Sequence, residues 1–455
     1  MPSTSAPEGL AAAFARELAR AAAEPLSAAI RREAERSLLN VLGLAIGAAE
    51  HPGVEAILAT ARVLGGPTRA AILGRSERAD AHFAALATGF AAHVDDFDDT
   101  HLLTVIHPGA AALAVLVGLA PATAPSGARA LTAFALGCEA QLRLGVAISP
   151  EHYDRGWHIT GTCGVVGAAV TAALLFGYDQ GRLAQAIRLA ATMALGHREG
   201  FGTMTKAFHP GKAAANGIDA ALLARTTIDV PATILEGRGG FADALSTRAD
   251  FGPLLADIGQ RWELAANTNK PYPCGIVAHP SIDAALALAA RVRPETIATV
   301  DVRVHPLVPE LMGNPDPTDG LQARFSAIHG VAVALCDRRV GLAQYETERV
   351  RRDDVRALRA TTTLRPDPAI ARDAAVVEVR LRDGSVLQED VAHARGSQAR
   401  PLTDDELVEK IRLLVEPRLG AGAERRLDAA VRALTDGLTL HALLERAVPT
   451  QVAHA

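Results

Sequence analysis

A chain of 455 residues exceeds what one hydrophobic core usually organises, so two domains are expected. Hydrophobic residues make up 49% of it but aromatics only 4%, so the cores must be built from Ala, Leu and Val, a composition suited to closely packed helices. A net charge of −5 with no basic run argues against a nucleic-acid binder. Cys138, Cys163, Cys274 and Cys336 are scattered without C-x-x-C spacing, which points to a reducing compartment and no disulfide framework. The stretch from Met1 to Gly9 lacks a basic segment followed by an apolar one. Apolar runs look interrupted before the roughly 18–20 residues of a membrane span. The expectation is a cytoplasmic protein without a membrane or nucleic-acid partner.

In chain order, 10–24 and 26–50 read as helices, with Leu38, Leu39, Leu42 and Ile46 at the spacing of a buried stripe. Pro52-Gly53 interrupts, and 54–64 resumes the pattern. Then comes the densest chemistry in the chain. His93-Val94-Asp95-Asp96-Phe97-Asp98-Asp99-Thr100-His101 is followed by His107-Pro108. Apolar residues at 83, 86, 90, 94 and 97 share one helical face. If that helix runs through Thr100, Asp96 and Thr100 face a cleft together at i and i+4, while Asp95 and Asp99 cap, pair or meet solvent. Pro108 opens the next helix. Helices follow at 128–149, 160–177, 181–195 and 212–227. Polar, Gly-containing connectors lie between them, around Trp157-His158, Gly196 to Gly200, and Lys206 to Lys212.

The texture changes after about residue 268. Lys270-Pro271-Tyr272-Pro273-Cys274-Gly275 reads as a linker, 278–292 as a helix and 298–304 as a strand. Segments 376–381 and 386–388 flank Asp383-Gly384, a hairpin signal. Thr403 with Glu406 forms a capping-box pattern, and helices return to about 447. The fold expected is mainly α. A large helical domain comes from 1–268 and 402–455, and a smaller α+β domain from 269–401.

Only four residues are lysine (Lys206, Lys212, Lys270 and Lys410), so 42 of the 46 basic residues are arginine. Where arginine serves as the general cation, lysine marks places that need a compact charge of tunable pKa. Lys206 and Lys270 therefore stand out as candidate functional cations, while Lys212 reads as structural. Asp95-Asp96-Phe97-Asp98-Asp99 also fits the DDxxD pattern of magnesium-dependent prenyl-diphosphate enzymes. That chemistry wants a second acidic motif and aromatic walls, and both are lacking in the sequence. A solvated, capped helix end is the bland alternative. The favoured reading is that Asp96 orients or charges a histidine in a metal-free site. His158, before a Thr/Gly-rich helix start, and His279, at another helix start, are candidates; His305 reads as a surface residue.

Four motifs in order carry a family resemblance: His93 to His107-Pro108, Gly156-Trp157-His158-Ile159-Thr160-Gly161-Thr162, Thr205-Lys206 to Lys212-Ala213-Ala214, and Lys270-Pro271-Tyr272-Pro273-Cys274-Gly275 to His279. The chain resembles the MmgE/PrpD family, which includes 2-methylcitrate dehydratases, cis-aconitate decarboxylases and iminodisuccinate epimerases. The resemblance implies a helical domain formed by both chain ends, a lid domain, a homodimer, no metal cofactor and a small di- or tricarboxylate substrate. Carried over by motif, the site is Asp96, Thr100, His107, His158, Lys206 and His279, with Lys270 nearby. Where many members carry a lid tyrosine, this chain offers His329. The reaction implied starts with proton abstraction beside a carboxylate. His158 or His107 would be the base, Lys206 and Lys270 the anchors, Thr100 a donor, and His279 or His329 the acid. A 2-methylcitrate dehydratase-like hydro-lyase comes first, with decarboxylase or epimerase as alternatives and a non-catalytic carboxylate binder more remote.

Overall fold

The structure is a computed structural model and describes residues 9–449. Apolar side chains gather into two cores. One draws on residues from Ala11 to Leu264 and again from Leu407 to Ala447; the other lies between Tyr272 and Val379. Two helices at the centre of the first core, Pro108–Thr123 and Gly164–Phe176, are apolar on every side, as helices without a solvent face must be. The C-terminal helix Asp404–Leu419 returns to pack on Ala28–Gly47, closing the helical unit with both chain ends. It starts at the expected cap: Thr403 Oγ1 accepts from Glu406 N, and Glu406 reaches back to Thr403 N.

The second core sits between the helices His279–Ala289 and Ala327–Asp337 and a four-stranded sheet. Strand Ile297–Val304 pairs parallel with Thr362–Pro366 and antiparallel with Ala375–Leu381, which pairs antiparallel with Val386–Val391. Val300, Val302 and Val304 turn one face inward, the period-two pattern read from the sequence. The hairpin turn is Arg382 to Ser385, with Gly384 at φ 90°.

Three expectations are corrected. The helix entering the acidic stretch, Ala81–His93, stops at His93. Residues 94–98 form a turn and Asp99–His101 is a short strand paired antiparallel with Asn267–Asn269. Helical phase therefore cannot be what aligns Asp96 with Thr100. Asp96 instead has a left-handed backbone, φ 49°, which ends the helix. The helix expected from 212 begins at Met204, so Lys206 lies in its first turn. Finally, Gly127–Ile148 and the stretch Ile159–Phe176 are long and apolar enough to cross a membrane, but 89% of each apolar window is buried inside the protein.

One close crossing places the site. Helices Ala81–His93 and Met204–Leu223 touch backbone to backbone at Gly89 and Gly211. A Cβ on Gly211 would lie 2.3 Å from the Leu86 carbonyl oxygen, and one on Gly89 2.5 Å from Gly211 Cα. Glycine here is a requirement of the crossing, and the crossing brings Lys206 to the turn after His93. Gly211→Ala should force the helices apart and cost about 1–3 kcal/mol. A lowered midpoint in thermal denaturation checks it; an unchanged midpoint would mean the crossing relaxes freely.

Candidate active site

The turn at 94–98 is held by cations from four separate parts of the chain. Lys206 Nζ, from the first turn of Met204–Leu223, lies 2.5 Å from Asp96 Oδ1. Lys270 Nζ donates to the Asp96 carbonyl at 2.9 Å and lies 3.2 Å from Oδ2. Lys410, from the C-terminal helix, donates to the carbonyls of Phe97 (2.6 Å) and Lys270 (2.9 Å) and to Asn40 Oδ1 (2.7 Å), with its ammonium 3.8 Å above the Phe97 ring. Arg324, from the second core, holds Asp95 through its carbonyl (2.7 Å) and carboxylate (2.8 Å). Three of the four lysines thus converge on one turn. The third is Lys410 rather than Lys212, which lies further along its helix.

Burial pushes the Asp96 carboxyl up, but Lys206 and Lys270 outweigh it and hold the carboxyl far below its ordinary range. Burial also lowers the Lys206 ammonium pKa, against the opposing pull of Asp96. A left-handed backbone at a non-glycine residue costs on the order of 1–3 kcal/mol. Here the contacts to both the carbonyl and carboxylate of Asp96 offset that cost.

The imidazoles gather around a different aspartate. Asp98, fully buried, accepts from His93 Nδ1 at 2.6 Å, and its other oxygen lies 3.1 Å from His107 Nδ1. His107 Nδ1 is also 3.1 Å from the Asp99 carbonyl oxygen and 3.1 Å from Thr100 Oγ1. The His93 and His107 rings meet edge to face at 4.6 Å, and His93 stacks near His158 at 5.7 Å. His158 and His209 share a proton between Nδ1 atoms 2.9 Å apart. Gly196 makes room for that pair, since a Cβ there would meet His209 at 3.2 Å and His158 at 3.4 Å. Burial keeps His93 neutral, its pKa lowered to about 4, and holds His158 well below the usual imidazole range, with Lys206 adding to the effect.

His93, Asp98 and His107 bring their ligand atoms within 4.8 Å of one another. The Nδ1 atoms lie at hydrogen-bond distance from the Asp98 carboxylate and the Asp99 carbonyl, an arrangement that neutral imidazoles satisfy with one hydrogen each. The DDxxD reading fails on the partners its carboxylates already have. Asp95 is held by Arg324 and Asp96 by two lysines. Asp98 faces histidines, and Asp99 accepts from Ser37, Asn267 and the Gly109 amide. The four carboxylates point apart. Asp95 and Asp99 are paired supports rather than solvated ends, and burial beside Asp98 raises the Asp99 pKa to about 6.

Asp96, Thr100, His107, His158, Lys206 and Lys270 line one cavity of about 40 Å³ between the two cores, walled by Tyr153, Phe201, Phe325, Ile276 and Met312. Two candidates lie elsewhere. His279 is buried, with Nε2 3.3 Å from the Cys274 carbonyl, and is among the residues lining a second pocket of about 420 Å³, which shares Ile276 with the first. His329 is fully buried; its Nε2 is 2.9 Å from the Gln344 carbonyl and its ring lies edge-on to Tyr345, and it is not among the residues lining the cavity. Sequence reasoning gave no site role to Asp98, Lys410 and Arg324, and did not carry His93 or His209 into the candidate site. Two signals were available: Lys410 is one of only four lysines, and His209 stands three residues after Lys206 on the same helix face.

Asp96→Asn would leave two buried ammoniums without their carboxylate, at a cost of about 3–5 kcal/mol. The pair Asp96→Asn with Lys206→Met should recover part of that loss. Denaturation of the single and double variants tests this, and additive losses would show that the two residues are not coupled.

Comparison with known proteins agrees with this geometry. The family model of the MmgE/PrpD N-terminal domain matches residues 12–254, and that of the MmgE/PrpD C-terminal domain matches 272–436. Among curated proteins, a cis-aconitate decarboxylase from Mus musculus is 27% identical over 88% of this chain and 86% of its own length. One from Homo sapiens is 28% identical over 78% and 76%. One from Aspergillus terreus is 23% identical over 76% and 77%. Two consecutive domain matches spanning most of the chain, over a cavity built from the expected motifs, show that this enzyme belongs to the MmgE/PrpD family.

Proposed function

We propose that the chain is a carboxy-lyase for a small unsaturated tricarboxylate, with cis-aconitate as the first substrate to try. The observation that carries this reading is the cavity's mixed lining. Two ammoniums, a hydroxyl and two imidazoles share it with Phe201, Phe325, Ile276 and Met312, and the Phe201 and Phe325 rings lie 5.6 and 5.5 Å from Lys206 Nζ. From sequence alone a 2-methylcitrate dehydratase-like hydro-lyase came first. The relatives named as cis-aconitate decarboxylases move decarboxylation ahead of it.

In this reading Lys206 and Lys270 anchor the carboxylates that remain, and Thr100 donates a further hydrogen bond. The carboxylate to be lost faces the apolar wall, where the anion is poorly solvated and neutral CO₂ is not. As its C–C bond breaks, the electron pair passes into the adjoining allylic system, and a protonated imidazole delivers one proton to carbon. The tricarboxylate and one proton become a dicarboxylate and CO₂. His107 takes the proton-donor role: of the two imidazoles that line the cavity, it has the Asp98 carboxylate 3.1 Å from its ring nitrogen, whereas His158 faces Lys206 and other histidines. Asp96 acts on the lysines, which it pairs with, rather than on a histidine.

Incubation with cis-aconitate in D₂O, followed by NMR, tests the reading. The expected product is an unsaturated dicarboxylate carrying one deuterium at the protonated carbon, with one CO₂ released. Water addition without CO₂ would establish the hydro-lyase instead, and exchange without net change an epimerase. Lys206→Arg keeps the charge but moves its centre, and should lower kcat/KM by roughly 10²-fold. Wild-type turnover in that variant would remove Lys206 from the site.

A further inference from the structure

We propose that Asp98 and His93 are positioning residues for His107: the Asp99 carbonyl fixes the His107 tautomer, Asp98 supplies the negative charge that lets the buried imidazole take up a proton, and neutral His93 holds Asp98 in place without discharging it. The proposal rests on the catalytic reading of the cavity and adds to it the means by which a buried histidine carries a proton.

Begin with the hydrogens. A carbonyl oxygen only accepts, and the Asp99 carbonyl lies 3.1 Å from His107 Nδ1. That nitrogen therefore carries the hydrogen, which leaves Nε2 as the atom that gains and loses the transferable proton. Two further oxygens lie 3.1 Å from Nδ1: the uncharged Thr100 hydroxyl and Asp98 Oδ1, which is otherwise without a hydrogen-bond partner. Its charge is thus directed at the His107 ring rather than spent elsewhere. Asp98 Oδ2 takes the Nδ1 hydrogen of His93 at 2.6 Å, so both imidazoles adopt the Nδ1–H tautomer.

The charges facing His107 set the balance. Burial works against its protonated form; Asp98 works for it, while Lys270 and Lys206 work against it. His93 and His158 stand close by, both held neutral by burial. On the remaining side, Thr160 Oγ1 accepts from the His107 amide at 3.2 Å and carries no charge. Among the described residues, Asp98 is the carboxylate within 3.1 Å of the ring, and it is paired with neither a lysine nor an arginine; the Asp99 carboxylate is turned to Ser37, Asn267 and the Gly109 amide. A charged residue at 93 would neutralise Asp98. A neutral imidazole donating a single hydrogen does not, and the unpartnered, buried Nε2 of His93 is what that neutrality leaves behind.

Asp98→Asn, Asp98→Glu and His93→Asn (whose amide nitrogen takes the place of Nδ1) separate these roles. In Asp98→Asn, kcat should fall by roughly 10²–10⁴-fold with KM little changed. The limb of the pH–rate profile that belongs to His107 should move to lower pH, because the charge favouring its protonated form is gone. Asp98→Glu should recover part of the rate, and His93→Asn most of it. NMR of protein labelled with ¹⁵N-histidine gives a readout independent of substrate. Wild type should show His93 and His107 as Nδ1–H tautomers, and Asp98→Asn should keep the His107 tautomer while lowering its titration midpoint. Unchanged kcat in Asp98→Asn, or a loss of kcat with neither limb nor midpoint moved, would overturn the proposal. If the wild type turns over none of the tricarboxylates, the functional reading fails, and the His107 titration still decides this one.

Discussion

A carboxylate removed from water must be matched by charge at close range, and in this protein Asp96 is matched twice. Lys206 and Lys270 reach it from different parts of the chain, and neither could be buried so deeply without it. The ion triplet therefore does structural and chemical work together. It holds a non-glycine residue in a left-handed conformation, which stops the preceding helix and turns the chain into the short strand that carries Thr100. It also keeps two ammoniums fixed at the cavity wall, where an incoming carboxylate can share them.

The same turn is the joint between the two cores. Lys270 lies in the linker into the second core, Arg324 reaches back from that core to Asp95, and Lys410 fastens both Phe97 and Lys270 from the C-terminal helix. The cavity, of about 40 Å³, holds at most a few waters. Ile276, Met312 and Phe325 line it from the second core, while the contacts on Asp95 to Asp98 fix the turn that lines it from the first.

Two aspartates of the acidic stretch divide the work by their neighbours. Asp96 faces lysines and governs charge on the anchors; Asp98 faces histidines and governs proton affinity. They are two residues apart, and nothing in their side-chain chemistry distinguishes them. Only the positive φ at Asp96, which sends it toward Lys206 while Asp98 turns to His93 and His107, assigns the roles. The sequence reading chose Asp96 and Thr100 for the cavity through a helical phase that does not exist. Both do line the cavity, one from a turn and the other from a strand.

Local patterns determined much of this protein by themselves. Apolar periodicity predicted the helices, Asp383-Gly384 the hairpin and Thr403 with Glu406 the capping box; lysine scarcity pointed to Lys206 and Lys270, and the family resemblance of four ordered motifs to Asp96, Thr100, His107 and His158. These signals are short-range, because propensity, capping and turn chemistry act within a few residues. Tertiary structure decided where Lys410 reaches, which aspartate meets which base, and that the cavity is lined by His107 and His158 but not by His279 or His329. Each of these depends on groups far apart in sequence meeting in a buried space, where desolvation makes every charge's partner matter. Nothing in residue order encodes the distance from Lys410 to Phe97 or the side of a wall on which a histidine lies.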